Sequence, residues 1–437
     1  MKRYEKYKPS GVEWIGEIPE HWESKKLKYI ANINPSKPPG QFANASDDEV
    51  VFLPMEKVSE EGKINQELRR RIDEVSSGFT SFERNDVIVA KITPCFENGK
   101  GAFLNDLETD FGYGSTEFHV LRANKSVSPK FLFYITKSHP FMKAGEAFMT
   151  GSAGQKRVPA SFVENFVAGT PPEAEQTAIA NYLDEKTAQI DTLIEKKQKL
   201  IELLKEERTA IINHAVTKGI NPKAKLKPSG IEWLVDIPAH WEVKKLKYVT
   251  EVKYGLGQPP RQKTDGLPLI RATNVERGKI VDNDLIYIDP DDIPYDRDPV
   301  LKENDIIVVR SGAYTGDSAI IPKKYEGAIT GYDMVVRVIT ADPIFISYCL
   351  LSNYVLINQL YLHRLRAAQP HLNKDELGEA FLLLPTFKEQ QSIVWHIETE
   401  TQKIDATVSK IEKEIELLQE YRTALISEVV TGKIKVV

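Results

Sequence analysis

The chain has 437 residues, of which 41% are hydrophobic and 28% charged, with a formal net charge of −5. That length allows about three domains of roughly 150 residues each, and the apolar content is ordinary for globular cores, so disorder is excluded as the default class. The negative balance gives no global positive field to draw in nucleic acid. No stretch approaches the ~18 uninterrupted apolar residues of a membrane span, and the N-terminus lacks an apolar leader. Two cysteines, Cys95 and Cys349, without any C-x-x-C, argue against a disulfide framework or a zinc site; a reducing cytoplasm is expected.

In chain order, the first element repeats. Residues 8 to 33, KPSGVEWIGEIPEHWESKKLKYIANI, return at 227 to 252 as KPSGIEWLVDIPAHWEVKKLKYVTEV, with 16 identities in 26 positions. Trp14 and Trp22 fall in register with Trp233 and Trp241. A period of half the chain is too long for a solenoid, so each copy is expected to be a complete folding unit. His21 and His240 recur between Pro and Trp and read as structural hydrogen-bonding residues. Next, Asn85-Asp86-Val87-Ile88-Val89 matches Asn304-Asp305-Ile306-Ile307-Val308, which predicts a buried strand after a turn in each copy. Farther on, Phe131-Leu-Phe-Tyr134 aligns with Phe345-Ile-Ser-Tyr348 and Gln155 with Gln369, about five residues having been deleted between the markers.

The third repeated block predicts two long helices. Glu175-Gln176, Ile190-Asp191 and Arg208-Thr209-Ala210 match Glu389-Gln390, Ile404-Asp405 and Arg422-Thr423-Ala424. Ile190, Leu193, Lys197, Leu200, Leu204 and Ile211 recur at helical steps, apolar but for Lys197, and Ile404, Ile411, Leu418 and Leu425 recur every seven residues. Pro171-Pro172 and Pro385 precede the starts, and Lys218-Gly219 and Thr431-Gly432 supply the stops. A helix of about 45 residues spans ~67 Å, so it must project or pair. Lys197 and Glu207 at seam positions call for a specific partner, for which the other copy's helix is the obvious candidate; a dyad would then run the helices antiparallel and carry the domains to opposite ends of a dumbbell. The alternative is that each helix packs on its own domain. The expected divisions are 1–172, 173–220, 221–386 and 387–437.

Catalytic signatures are missing. There is no G-x-G-x-x-G and no Walker A, Asn34-Pro35-Ser36 is the nearest approach to an amino-methylation tetrapeptide, and Pro290-Asp291 is followed by no D/E-x-K. The histidines lack metal-ligand spacing. Cys95, in Thr93-Pro94-Cys95-Phe96, has no counterpart in the second copy and reads as a buried thiol.

Two unlike domains, each preceded by SG-x-EW-x-x-x-IP-x-HWE and followed by a helix reading EQ…ID…RTA-I, resemble the specificity subunit of a type I restriction-modification enzyme over essentially the whole chain. The segments Ile92-Thr-Pro-Cys-Phe-Glu-Asn-Gly-Lys100 and Ala368-Gln-Pro-His-Leu-Asn373 add to the likeness. The resemblance implies a mixed α/β fold with two target-recognition domains separated by two long helices in an antiparallel coiled coil. It further implies a non-catalytic subunit without cofactor or metal, which reads a bipartite, asymmetric double-stranded DNA site. Two modification subunits, which bring S-adenosylmethionine, would dock on the helices, and restriction motor-nuclease subunits would join them. A two-domain scaffold that joins proteins without reading DNA is the competing reading.

Similar frames with divergent interiors suit a reader of two different half-sites, because framework contacts position while base-edge contacts specify. The helix from Glu173 to Lys218, with nine acids against seven bases, suits protein contact. Candidate DNA contacts lie in acid-poor, loop-like stretches: Lys91, Thr93, Lys100, Gln155, Lys156 and Arg157 in the first copy, and Arg261, Lys263, Arg310, Tyr314, Arg364, Arg366, Gln369 and His371 in the second. Arg and Lys suit phosphate or guanine O6/N7, and Gln suits adenine. Gln155 matches Gln369 and Lys91 matches Arg310, so those four suit phosphate contact or structure better than base discrimination. Arg69-Arg70-Arg71 is unmatched and reads as part of a mobile loop.

Overall fold

The computed structural model describes residues 2–36, 48–152, 154–231, 233–363 and 370–436. The chain divides into two compact units, Met1–Lys197 with Glu412–Val437, and Gln198–Ile411.

In the first unit the buried run Val87–Ala90 sits inside an antiparallel sheet ordered Ala31–Ile33, Phe118–Ala123, Val87–Ala90, Gly101–Phe103. Its residues alternate between two cores: Val87 and Val89 join the cluster around Trp22 and Phe131, while Ile88 and Ala90 join one around Phe82 and Phe118. A strand buried on both faces reads as a continuous apolar run, which is why the VIVA stretch is legible. A second sheet, ordered Arg69–Arg71, Glu49–Leu53, Phe111–Gly114, Thr80–Glu83, contains one parallel pair, Phe111–Gly114 with Glu49–Leu53.

The second unit repeats the plan. Its sheet runs Thr250–Tyr254, Met334–Val338, Ile306–Val308, Ser318–Ile320, and the next runs Ile286–Ile288, Gln262–Ile270, Ile329–Thr330 with the last pair parallel. Ile306 and Val308 face one core, Ile307 and Val309 the other.

The Asn-Asp turns work identically in both units. Asn85 and Asn304 take the left-handed conformation (φ 69° and 68°). The following aspartates are nearly inaccessible, so their charge must be compensated. Arg122 Nε and Nη2 donate to Asp86 at 2.8 Å each, and Arg337 Nε and Nη2 donate to Asp305 at 3.0 and 2.8 Å. Backbone N–H groups of Glu83 and Lys302 close the turns onto the same carboxylates.

The two long helices are Glu173–Lys218 and Phe387–Val430. Glu175, in the first helical turn where a negative charge is favoured, accepts from Trp22 Nε1 at 3.2 Å and bonds His21 Nε2 at 2.8 Å. Glu389 does the same for Trp241 at 3.1 Å and His240 at 2.8 Å. The repeated His-Trp pair is therefore a fastening between opener and helix. The neighbouring glutamines, Gln176 and Gln390, are buried and close the chain around the helix start by binding the Pro171 and Pro385 carbonyls.

Within the first unit, Arg422 Nε and Nη2 donate to Asp191 at 2.8 and 3.2 Å, and Lys197 pairs with Glu414, so residue numbers rise on one helix as they fall on the other. Within the second unit, Arg208 Nε donates to Asp405 at 3.1 Å, the same residue pair with the helices exchanged. The pairing is antiparallel, and the expected alternative is met as well: Ile179, Leu183 and Ile190 enter the core of the domain preceding them, as Ile393 and Ile397 do in the second unit. The far ends complete the other cores, Leu425 and Val429 in the first unit, Ile212 and Val216 in the second. At the stops, Gly432 (φ 74°) lies where a Cβ would stand 2.3 Å from Pro19 Cδ and 3.2 Å from Trp22, and Gly219 (φ 73°) where one would stand 3.2 Å from Trp241. Only glycine ends the helix and admits the Trp there.

The seam differs from expectation by one residue. Leu193 and Leu200 are 43% and 44% exposed and Glu207 faces solvent, while Ile194, Ile201 and Arg208 lie on the covered stripe with Lys197 and Leu204. Cys95 is half-buried rather than buried, whereas Cys349 is fully enclosed and its thiol pushed up to about 12 by burial. Among the described residues no single helix is long and apolar enough to cross a membrane, and the bent pair Pro343–Leu351 and Asn353–His363, which passes by length and composition, contributes Phe345, Ile346, Cys349, Leu350 and Val355 to the core.

Candidate nucleic-acid interface

In both units the strand after the Asn-Asp turn runs out into a loop that a second, distant loop clasps. In the first, Ile92 bridges Arg157; Thr93 N donates to the Lys156 carbonyl at 3.0 Å, Lys156 N to Thr93 Oγ1 at 3.1 Å, and Val158 N to the Lys91 carbonyl at 2.8 Å. Lys91, Thr93, Gln155, Lys156 and Arg157, 62 or more residues apart across the two loops, thus form one cluster with Gln155 and Lys156 exposed. Arg157 is engaged by Glu117, to which Nε and Nη2 donate at 2.9 and 2.8 Å, and these bonds hold the Glu117 carboxyl below its usual range. Beneath the cluster lies the buried His119. Asn34 Nδ2 donates to its Nδ1 at 3.1 Å and its Nε2 donates to the Val158 carbonyl at 2.8 Å, which fixes the neutral tautomer; desolvation lowers its pKa accordingly.

Lys100 Nζ donates to the Met55 carbonyl at 3.2 Å, at the far end of the same turn. That turn is anchored by Lys137, whose Nζ donates to the carbonyls of Gly99 and Glu60, and whose pKa falls to about 7 through burial. Nothing in the sequence marks Lys137, because lysine is solvent-facing by default.

In the second unit Ser311 bridges His371, Gly312 N donates to the Pro370 carbonyl at 3.2 Å and Leu372 N to the Arg310 carbonyl at 2.8 Å. The Arg310 guanidinium lies 4.3 Å from the ring centroids of both Tyr254 and Tyr332. Its Nη2 donates to His371 Nε2 at 3.1 Å, so the proton of neutral His371 resides on Nδ1. Backbone N–H of Arg310 donates to the buried Asp333 at 3.2 Å, whose carboxyl burial pushes up to about 6. Tyr254, Tyr314, Tyr332, His371 and Lys374 around it are exposed. Contact with two tyrosine rings holds a guanidinium in place without neutralising its charge, and leaves its planar donors suited to bidentate recognition. A cavity of about 220 Å³ opens beside Tyr332, Ser311, Arg271 and Asp333.

Tyr254, Tyr332 and Lys374 were not singled out from the sequence, which scatters them over 120 positions. Tyr254 and Lys374 do fall in the acid-free stretches 253–264 and 361–374, which read as candidate anion-facing surfaces. Other expected contacts are differently placed. Arg261 donates to Asp292 from Nε at 2.7 Å and from Nη2 at 2.9 Å, and Lys263 to Asp289 at 3.0 Å; Lys253 pairs with Asp298 at 2.9 Å. The acid-free stretch from Lys253 to Thr264 is thus neutralised by carboxylates from residues 289–298 and is no unpaired basic patch. Arg69–Arg71 is an edge strand rather than a mobile loop, pairing with Glu49–Val51, with Arg69 bound to Glu108 and Arg71 to Asp73; charged side chains there protect a sheet edge from further pairing. Arg364, Arg366 and Gln369 lie outside the described residues.

The family model for the type I restriction modification DNA specificity domain matches residues 19–203 and 238–417. The chain is 40% identical over 200 residues to the type I restriction enzyme EcoAI specificity subunit of Escherichia coli and 38% identical over 200 residues to the EcoEI specificity subunit, each match covering 43% of this chain. It spans about a third of those relatives' length, 33% and 32%. The EcoKI specificity subunit of Escherichia coli is 26% identical over 379 residues, 84% of this chain and 74% of that one. In fold the chain is similar to a solved type I R-M system chain (TM-score 0.76, 17% identity, 95% and 99% of the two chains) and to the HsdS subunit from Thermoanaerobacter tengcongensis (TM-score 0.56, 17% identity, 95% and 98%). With two matched domains that together take in most of its length, the chain belongs to the type I restriction modification DNA specificity family.

Proposed function

We propose that the chain is a non-catalytic specificity subunit that reads a bipartite, asymmetric double-stranded DNA site, one half-site per globular domain. The observation that carries this is the clasped loop pair: the same framework in each unit presents Lys91, Thr93, Gln155, Lys156 and Arg157 in one case and Arg310, Tyr314 and His371 in the other, with Arg310 held by Tyr254 and Tyr332. A shared frame with unlike tips is what two different half-sites require. Arg310, expected from its match to Lys91 to meet phosphate, is suited by its two tyrosine contacts to guanine O6/N7 instead, while Gln155 keeps the phosphate or structural role expected from its match to Gln369. Lys91, Lys156, Lys100 and Thr93 are suited to phosphate, and Arg157, Arg261 and Lys263 would first have to exchange a carboxylate for phosphate. Arg364, Arg366 and Gln369 are proposed as further contacts of the second domain. The functional segments are 1–172 and 221–386 for recognition, and 173–220 and 387–437 for assembly.

Two modification subunits would dock on the paired helices and supply adenine methylation, with restriction motor-nuclease subunits joining them in the cytoplasm. Mobility-shift titration of duplex DNA with the chain plus its modification subunit tests the reading. Salt-sensitive binding of a two-part site is expected, with methylation only in the mixture; methylation by the chain alone, or no DNA binding by the mixture, contradicts it.

A further inference from the structure

The offset that aligns Phe131 with Phe345 and Gln155 with Gln369 also sets Phe148 against Leu362. On either side the copies have diverged, with Ala147 and Met149 opposite Tyr361 and His363. The middle residue stays apolar and exposed in both, Phe148 at 58% and Leu362 at 49%. A lone apolar side chain on a surface is ordinary. One kept in the same place through this much divergence has a reason that both domains share.

Each stands at the edge of its clasped loops. Phe148 follows the helix His139–Ala147 and comes two residues before Thr150, which pairs with Arg157 through N–H···O bonds of 3.0 and 2.8 Å. Its ring rests against Phe162, with centroids 5.4 Å apart and planes at 34°, and Phe162 packs in turn on Phe141 and Phe166, so the exposed ring is braced from behind. Leu362 lies between two residues tied to the surroundings of Arg310. Tyr361 Oη donates to Asp317 Oδ1 at 3.2 Å, and the Asp317 carbonyl accepts from the backbone N–H of Val309, the residue before Arg310, at 2.8 Å. His363 Nδ1 lies 3.3 Å from Glu376 Oε1, and Glu376 closes onto the Asn373 backbone N–H, next to the Lys374 that lies over the Tyr254 ring. Leu362 contributes no polar group to these ties and is simply held beside the cluster.

The groove decides what such a group meets. Arg310 is suited to guanine O6 and N7, which lie in the major groove, so an apolar side chain beside it enters that groove too. There the base edges present donors, acceptors and one apolar group, the thymine C5-methyl. Phosphate and polar base edges are excluded as partners, since hydrocarbon set against them leaves their hydrogen bonds unmade. We propose that Phe148 and Leu362 each read a thymine of their own half-site through its methyl group; this rests on the function proposed above. The shared frame fixes where the apolar contact falls, and the change from a flat ring to a branched chain fits it to differently placed methyl groups.

The test uses the full chain with its modification subunit and the two-part duplex found by methylation mapping, with one thymine at a time replaced by deoxyuridine, which removes only the methyl. Wild type should lose affinity roughly three- to tenfold at one thymine in each half-site. Phe148→Ser should bind the thymine and uracil duplexes of one half-site equally and still discriminate in the other, and Leu362→Ser should do the reverse. Phe148→Leu should recover part of the discrimination, which guards against a folding artefact. A wild type indifferent to every uracil overturns the inference alone. So does discrimination retained in both serine variants, even where their overall affinity falls, because that is the signature of a structural role. Failure of wild type to bind any duplex overturns the underlying reading and the inference with it.

Discussion

The two clasped loops differ most in what surrounds their central cation. In the first unit Arg157 is bound by the Glu117 carboxylate, and the cluster offers amide and ammonium groups at its exposed tip. In the second, Arg310 lies over two tyrosine rings and is bonded to His371. An arginine neutralised by a carboxylate offers little net charge to phosphate, while one held by stacking keeps its charge and its flat set of donors. One framework thus supports two electrostatic characters because the strand ends, turns and helix fastenings beneath are the same, and only the tips differ.

The largest effects should come from breaking what the units share. Trp241→Ala removes a fully buried indole and the bond to Glu389, and should cost about 3–5 kcal/mol in denaturant unfolding. Trp22→Ala should cost a similar amount; a loss under about 1 kcal/mol in both would show that the fastening is not structural. Next comes Arg310→Ala, expected to weaken binding by about 1–3 kcal/mol for one half-site only, with Arg310→Lys failing to restore it, as read by competition with duplexes altered in either half. Equal loss at both halves would erase the distinction between the units. A smaller change is expected from Glu117→Gln: releasing Arg157 should strengthen binding and steepen its salt dependence by about one ion, and an unchanged salt slope would leave Arg157 a purely structural residue.

The smallest is a pH effect. Asp333 is raised by burial from an ordinary value of 3.8 to about 6. Between those values the folded protein holds a proton that the unfolded chain has released, so stability should fall as pH rises through that window and level above it. Asp333→Asn should flatten the curve, and a wild-type curve already flat there would place the carboxylate in a more solvated setting.

Much of this was legible in the sequence where physics is local. The helix stops at Gly219 and Gly432, the Asn-Asp turns and the doubly buried strands follow from φ preference and burial pattern over a few residues. The seam was misread because adjacent rows both carry apolar residues, Leu193 beside Ile194 and Leu200 beside Ile201, and periodicity alone does not choose between rows one residue apart. The candidate site was half legible: loop cations stood out, but their partners did not. Glu117, Tyr254, Tyr332 and Asp333 reach Arg157 and Arg310 only through strand pairing across 22 to 56 positions of chain, and pairing register is set by the whole sheet. Lys137 hid because its burial depends on two carbonyls, of Gly99 and Glu60, that no composition reveals.

The central claim is that each unit reads its own half of one DNA site. Its most direct test is methylome sequencing of a host that carries the chain with its modification subunit, repeated with Arg310→Ala. The account predicts two separated motifs at a fixed gap, with base choice relaxed in one motif and intact in the other. A single contiguous motif, or relaxation of both halves together, would contradict it.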